Sequence, residues 1–298
     1  MLNNKKGKQI KAYIYLLPAA ILLIIFLYYP VVESIGYSFF NFKNFKPFEF
    51  VGLDNYRSAF ADGLFWNSIY LTFKWVIMNT IFPTFIGLML SILVDYLSKI
   101  QWFTSMSRTI LFMPMMMSMV AVGLLWTLIY NPNLGLLNGL LGVFGLDEKF
   151  IALGSTKTAI YMSFIPLIWQ SSGFSMVVCS AALQSVSKEM LEASLIDGCN
   201  KFNQLKRIML PNIVGAIVMV STVNMISGFK AFDLLYVLTK GGPGAATEIT
   251  AVYAYKQAFL AFKFDYASTM MTCLLICVIV FLLIFNFFSN KVEKKFGS

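Results

Sequence analysis

Histidine is absent from this 298-residue chain. The commonest metal ligand and the commonest general base are therefore missing. Charge is scarce: Asp, Glu, Lys and Arg together make 12% of the sequence, well under the roughly 25% of a soluble domain. Cysteine is limited to Cys179, Cys199, Cys273 and Cys277, and none has the paired spacing of a zinc ribbon or finger. Cys273 and Cys277 share one helix face inside an apolar run, which reads as core or lipid-facing. No Gly-Lys-Ser/Thr follows a glycine-rich turn, so the chain carries no phosphate-cradling loop. Without clustered carboxylates or a nucleophile beside a base, an intramembrane enzyme is the weakest of the function classes open to it.

What the chain has is apolar surface, 58% of its residues. A bilayer span needs about 20 consecutive apolar residues. Six stretches qualify, at roughly 13–32, 69–94, 107–129, 158–183, 213–235 and 267–288. The expectation is an all-α polytopic membrane protein, a single transmembrane domain over residues 1–298. The first stretch follows Lys5, Lys6, Lys8 and Lys11, with no small-residue cleavage site before Glu33, and reads as an uncleaved helix. Pro83, Pro114 and Pro166 fall inside spans, where neighbours must re-satisfy any freed carbonyl. The methionine-rich run from Met113 to Met119 reads as adaptable packing.

The net charge of +9 invites a nucleic-acid reading, but its distribution removes it. With six spans both termini share a side. Placing them in the cytoplasm puts 13 basic and five acidic residues inside, against ten and nine outside. That is the positive-inside bias of a membrane protein. It places the loop at about 184–212 in the cytoplasm.

That loop is the most informative stretch. Leu191 to Ile213 reads LEASLIDGCNKFNQLKRIMLPNI, the long mixed-charge interruption of an apolar chain. Phe202, Leu205, Ile208 and Met209 recur at helical spacing on one face, with Lys201, Gln204, Lys206 and Arg207 on the other. The pattern predicts two short helices around Gly198, with Pro211 in the first turn of the next helix. The run resembles the signature loop of binding-protein-dependent ABC importer permeases: Glu-Ala-Ala, three residues, Gly, nine residues, Ile, one residue, Leu-Pro. Here it is Glu192-Ala193-Ser194, Gly198, Ile208, Leu210 and Pro211, with every spacing kept. Ser194 stands for the third small Ala, Cys199 for the usual Ala after Gly, and Ser187 where Pro often precedes the segment.

A second stretch agrees. FDLLYVLTKGGPGAATEI, from Phe232 to Ile249, resembles the outer loop of sugar permeases of the maltose and glycerol-phosphate first-subunit type. Gly241, Gly242, Pro243 and Gly244 force an irregular turn there, which either only shapes the loop or meets the binding protein. FVGLDNYRSAF in the first outer loop is similar to a Gly-Leu-x-Asn-Tyr run that precedes the second span in those permeases.

The resemblance implies the type I importer permease fold and a five-part assembly. Its members are this permease, a second homologous permease, two ATPase subunits and an extracytoplasmic solute-binding protein, set in the lipid bilayer without nucleic acid. ATP and Mg sit on the partner ATPase subunits and no cofactor on this chain. Residues 190–211 would form the coupling helix, through Glu192, Ala193, Ser194, Leu195, Asp197, Gly198, Leu210 and Pro211. Glu192 and Asp197 would pair with basic groups on the ATPase groove, with Leu191, Leu195 and Ile196 as apolar contacts.

For the solute, polar groups inside spans are costly and often functional. Asn79, Trp169, Gln170, Asn224 and Ser227 are the pathway candidates, with interhelical hydrogen bonding as their other role. Lys230 either snorkels to the interface or meets an anionic solute. The rival class is an ion-coupled secondary transporter, which needs charged groups deep in the spans; none is expected there.

Overall fold

A computed structural model describes residues 15–43, 46–97, 101–145 and 150–296. Lys5, Lys6, Lys8, Lys11 and Lys99, on which the charge bias partly rests, lie outside these residues, as does the start of the first expected span. In chain order the elements are α1 (Tyr15–Tyr37), β1 (Phe40–Lys43), β2 (Lys46–Phe50), α2 (Asp54–Ala61), α3 (Gly63–Asp95), α4 (Trp102–Met116) and α5 (Met119–Ile129). Then follow α6 (Leu136–Val143), α7 (Ala159–Gln184), α8 (Lys188–Ile196), α9 (Lys201–Asn212), α10 (Val214–Phe229), α11 (Asp233–Thr239), α12 (Thr250–Tyr255) and α13 (Phe264–Phe296).

Four of these, α1, α3, α7 and α13, are long and apolar enough to cross a bilayer unbroken. The expected third and fifth spans differ from the sequence reading. The third, 107–129, is two helices, α4 and α5, meeting at 100°. The fifth, 213–235, stops at Phe229 and resumes as the separate α11, and it enters through a 63° bend after α9. Counting each bent pair once gives six spans among the described residues.

The chain forms two compact units. The smaller comprises residues 1–65 and 254–275. In it β1 and β2 make an antiparallel hairpin pairing Phe40 with Phe50 and Asn41 with Glu49, then shifting register at Phe42. The GLDNY run is explained here. Gly52 turns the chain at φ +58°, a left-handed conformation that glycine adopts without strain. Asn55 Nδ2 then donates to the carbonyls of Ser38 and Phe40, both at 3.1 Å, and the Tyr56 hydroxyl lies 2.7 Å from Ser38 Oγ. Asp265 accepts from the Phe42 amide at 3.2 Å, and the Tyr266 hydroxyl donates to Asp62 at 2.6 Å.

The larger unit comprises residues 66–253 and 276–298. Its centre is α7, whose most apolar window is 56% buried against 0% for α1. Trp75 of α3 stacks on Phe164 of α7 with centroids 4.4 Å apart, among Leu71, Val122, Leu167 and Leu235. A second apolar cluster, Ile92, Leu183, Val186, Met209 and Ile213, joins the far ends of α3 and α7 to the α8–α9 region. One turn beyond Ile92, Arg108 Nε donates to Asp95 at 2.8 Å, tying the end of α3 to α4. Small residues set the helix spacing: a Cβ on Gly87 would lie 2.4 Å from Ser175 Cβ and 2.6 Å from the Met176 backbone nitrogen.

Gly87→Ala therefore forces α3 from α7. Overpacking of this kind costs about 1–3 kcal/mol, so the melting temperature of the detergent-purified protein should fall by several degrees. Gly139→Ala, where nothing lies within 4 Å of the new Cβ, should leave it unchanged.

Candidate functional site

The α8–α9 loop is built from local signals. Ser187 caps α8 by accepting from the Met190 amide at 3.4 Å, and Asn200 caps α9 by accepting from Asn203 at 2.8 Å. Between them Gly198 takes φ +80°, again a left-handed position, and the Cys199 amide returns to the Ser194 carbonyl at 2.9 Å. The two-helix expectation matches this. The predicted apolar face of α9 does not hold at Phe202, which is 69% exposed while Met209 is buried. The turn from Leu205 to Met209 is a wide π turn, which shifts the side-chain phase that a regular 3.6-residue period predicts. Pro211 lies just before the bend at Ile213, and the span proper begins at Val214.

The loop has two faces. Leu191, Leu205, Ile208, Met209 and Leu210 pack inward on Ile92, Leu183 and Val186. Ile196, 87% exposed, Phe202 and Leu195 face outward with Glu192, Ala193 and Asp197. Ser194 is buried under the loop.

The second feature is a cavity of about 360 Å³ where α10 gives way to α11. Trp75, Leu167, Ser227, Lys230, Phe232 and Asp233 are among its walls. Lys230 closes α10 and Asp233 opens α11, so the break sets a cation and a carboxylate on the same cavity. The Trp75 Nε1 is buried and has no partner among the described residues. A larger groove of about 700 Å³ beside α6 is almost wholly apolar, and its Tyr130 hydroxyl is committed to the Met162 carbonyl at 2.9 Å.

Residues 84–298 match the family described as the binding-protein-dependent transport system inner membrane component. The chain belongs to this family. It is 35% identical over 286 residues to the probable ABC transporter permease protein PH1215 of Pyrococcus horikoshii, covering 95% of this chain and 96% of that one. It is 34% identical to the alpha-glucoside transport system permease protein AglF of Rhizobium meliloti, covering 80% and 70% respectively. Its fold matches that of a bacterial ABC transporter involved in the import of the acidic polysaccharide alginate, with a TM-score of 0.84 at 23% identity over 97% of this chain and 98% of that one.

In this permease the pathway candidates separate. Ser227 lines the cavity. Asn79 and Asn224 instead form a buried polar knot between helices. Asn79 Nδ2 donates to the Asn224 carbonyl at 2.6 Å, and Asn224 Nδ2 donates to Thr84 at 3.0 Å and to Ser175 at 3.1 Å. Gln170 donates to the Met115 and Met117 carbonyls, both at 3.4 Å, where α4 breaks from α5. Trp169 lies in an apolar groove with Ile86 and Pro114. Sequence reasoning passed over Trp75, Phe232 and Asp233; the cue was the Lys230–Asp233 interruption of an apolar run. It also passed over Lys74, a charge within the second span, which donates to the Tyr161 hydroxyl at 2.9 Å and lies 4.2 Å from that ring's centroid.

The outer loop is stitched by threonines. Thr239 and Thr247 hydroxyls lie 2.6 Å apart, and Thr247 donates to the Gly242 carbonyl at 2.9 Å. Gly241 is buried, Gly242 and Pro243 are half-buried, and Gly244 is exposed. The Thr250 amide donates to Thr72 of α3 at 2.9 Å, anchoring the loop.

The two-faced loop has a direct chemical readout. In a background with the native cysteines replaced, Ile196→Cys and Phe202→Cys should react readily with a maleimide, and Ser194→Cys about tenfold or more slowly because thiol reactivity follows access. Equal rates at the three positions would contradict the geometry.

Proposed function

We propose that this permease forms half of the translocation path for a sugar or sugar-like solute and takes its energy through the α8–α9 loop. A second homologous permease supplies the other half. Two ATPase subunits hold ATP and Mg²⁺ and seat the loop, and an extracytoplasmic solute-binding protein delivers the solute to the opposite side. Both termini and the loop face the cytoplasm.

The carrying observation is the outward apolar face of a loop whose other face is anchored on span ends. Burying a large apolar side chain is worth about 1.5–3 kcal/mol, whereas an exposed ion pair is worth about 0–1 kcal/mol. Ile196, Phe202 and Leu195 are therefore the anchors, and Glu192 and Asp197 orient the contact at its rim. Leu191 is not an anchor, since it packs inward.

The sugar reading rests on the cavity and on relatives such as AglF, whose name specifies alpha-glucosides. Sugars are held by hydrogen bonds to hydroxyls and by aromatic faces. Ser227, Lys230 and Asp233 offer donors and acceptors, and Phe232 offers an aromatic wall. Closure of the ATPase pair pushes the loop, the loop carries α9 and α10, and the cavity at the far end of α10 changes its access.

Two variants test the two ends. Ile196→Asp should release the ATPase subunits on purification while the permease still inserts; full retention would refute the docking face. Ser227→Trp should fill the cavity and cut uptake at least tenfold with the assembly intact. Uptake at the normal rate would show that the solute passes elsewhere.

A further inference from the structure

Ser194 and Gln204 sit on different helices of the loop and are both buried, at 6% and 5% exposure. Gln204 Nε2 donates to Ser194 Oγ at 2.8 Å and to the Leu191 carbonyl at 2.8 Å. Ser194 Oγ in turn donates to the same Leu191 carbonyl at 2.7 Å. The three groups close a small ring of hydrogen bonds between α8 and α9. Neither side chain is exposed enough to touch a partner protein. Besides this ring, α8 and α9 are joined through the Gly198 turn, through Asn212 Nδ2, which lies 3.9 Å from Met190 Sδ, and through the packing of Leu191, Leu205 and Ile208 on one apolar cluster. The turn itself is held only by backbone bonds, from the Gly198 amide to the Leu195 carbonyl at 3.1 Å and from the Cys199 amide to the Ser194 carbonyl at 2.9 Å, among the hydrogen bonds of the described residues.

We infer that Ser194 and Gln204 form a clasp that makes α8 and α9 move as one body, and that they are positioning residues for energy transfer. The inference rests on the reading of this loop as the ATPase contact. A push on Ile196 must cross from α8 to α9 before it reaches α10. The backbone path between them runs through the Gly198 turn. The clasp bridges that turn, and its acceptor, the Leu191 carbonyl, belongs to a residue already packed on the ends of α3 and α7. Beyond α9 the motion enters α10, which carries Asn224 in the buried knot and Ser227 at the cavity. The clasp thus lies on the load path from the exposed apolar face to the cavity wall.

The test uses the assembled transporter in proteoliposomes. Gln204→Met keeps the volume and removes both donated bonds; Ser194→Ala removes two of the three. In Gln204→Met the ATPase subunits should stay bound in the normal ratio. Amide exchange across residues 195–204 should quicken about fivefold to tenfold, as expected for losing buried hydrogen bonds in a local opening unit. ATP hydrolysed per solute imported should rise several-fold. Ser194→Ala should move both readouts the same way by less, and the double variant should be no worse than Gln204→Met, because the residues share one network. Normal coupling in Gln204→Met overturns the clasp, as does full additivity. Loss of ATPase subunits in Gln204→Met also overturns it, since the pair would then merely build the docking surface. Unchanged exchange overturns it whatever the docking shows. Ile196→Asp tests the docking face separately: retained ATPase subunits there, with quickened exchange in Gln204→Met, reject the docking reading and keep the clasp as a structural tie.

Discussion

Inside a bilayer no water is available to a freed backbone carbonyl, so each interruption of a helix must be closed by the protein itself. Most of the larger unit follows from that constraint. The chain breaks between α4 and α5, and a side chain from α7 answers: Gln170 reaches the Met115 and Met117 carbonyls. Ser118 closes the new helix start by accepting from the Ala121 amide at 3.2 Å. The chain is interrupted again after Phe229, and the short α11 turns its apolar face, Leu234, Leu235 and Leu238, into the core around Trp75 and Phe164. Because α7 supplies Gln170, Phe164 and Ser175, it is the element that the others need in place. Of its buried polar side chains, Gln170 and Ser175 bond to neighbouring helices, while Ser163 and Ser172 bond back to its own backbone.

On the proposed reading the loop meets water and protein, so a different rule governs it. Its inward leucines and isoleucines fix it to the span ends, and its outward apolar residues are left without cover among the described residues. Outside the bilayer, a contiguous patch of large exposed apolar side chains marks a surface suited to a partner. A docking element that transmits force must be anchored on one side, sticky on the other and stiff between. The packing supplies the first, Ile196 and Phe202 the second, and the hydrogen-bond ring under Ser194 the third.

Apolar stretches long enough to span a bilayer were legible because hydropathy and length report directly on lipid as solvent. The fourth expected span, 158–183, lies one residue from α7 at each end. The breaks were not legible. Pro83 and Pro166 sit inside unbroken helices, yet the chain turns by 100° near Pro114. Proline permits a break, and the decision rests on partners such as Gln170, distant in sequence. The loop motif was legible from spacing, but the outward turn of Phe202 depends on a π turn that regular periodicity does not foresee. Among the pathway candidates, Asn79, Gln170 and Asn224 hydrogen-bond across helices, the other role that their polarity left open, while the Asn79 Oδ1 has no partner among the described residues. Trp75 joins the cavity only through the packing of α3 on α7 and α10, which no local pattern encodes.

The central claim is that the α8–α9 loop is the contact through which ATP hydrolysis drives this permease. A photo-crosslinking amino acid placed at single positions of the assembled transporter tests it most directly. The account predicts crosslinks to the ATPase subunit from positions 196 and 202, and none from the buried position 209. Crosslinks to lipid or to the permease alone from 196 and 202, with the ATPase captured from another part of the chain, would contradict it.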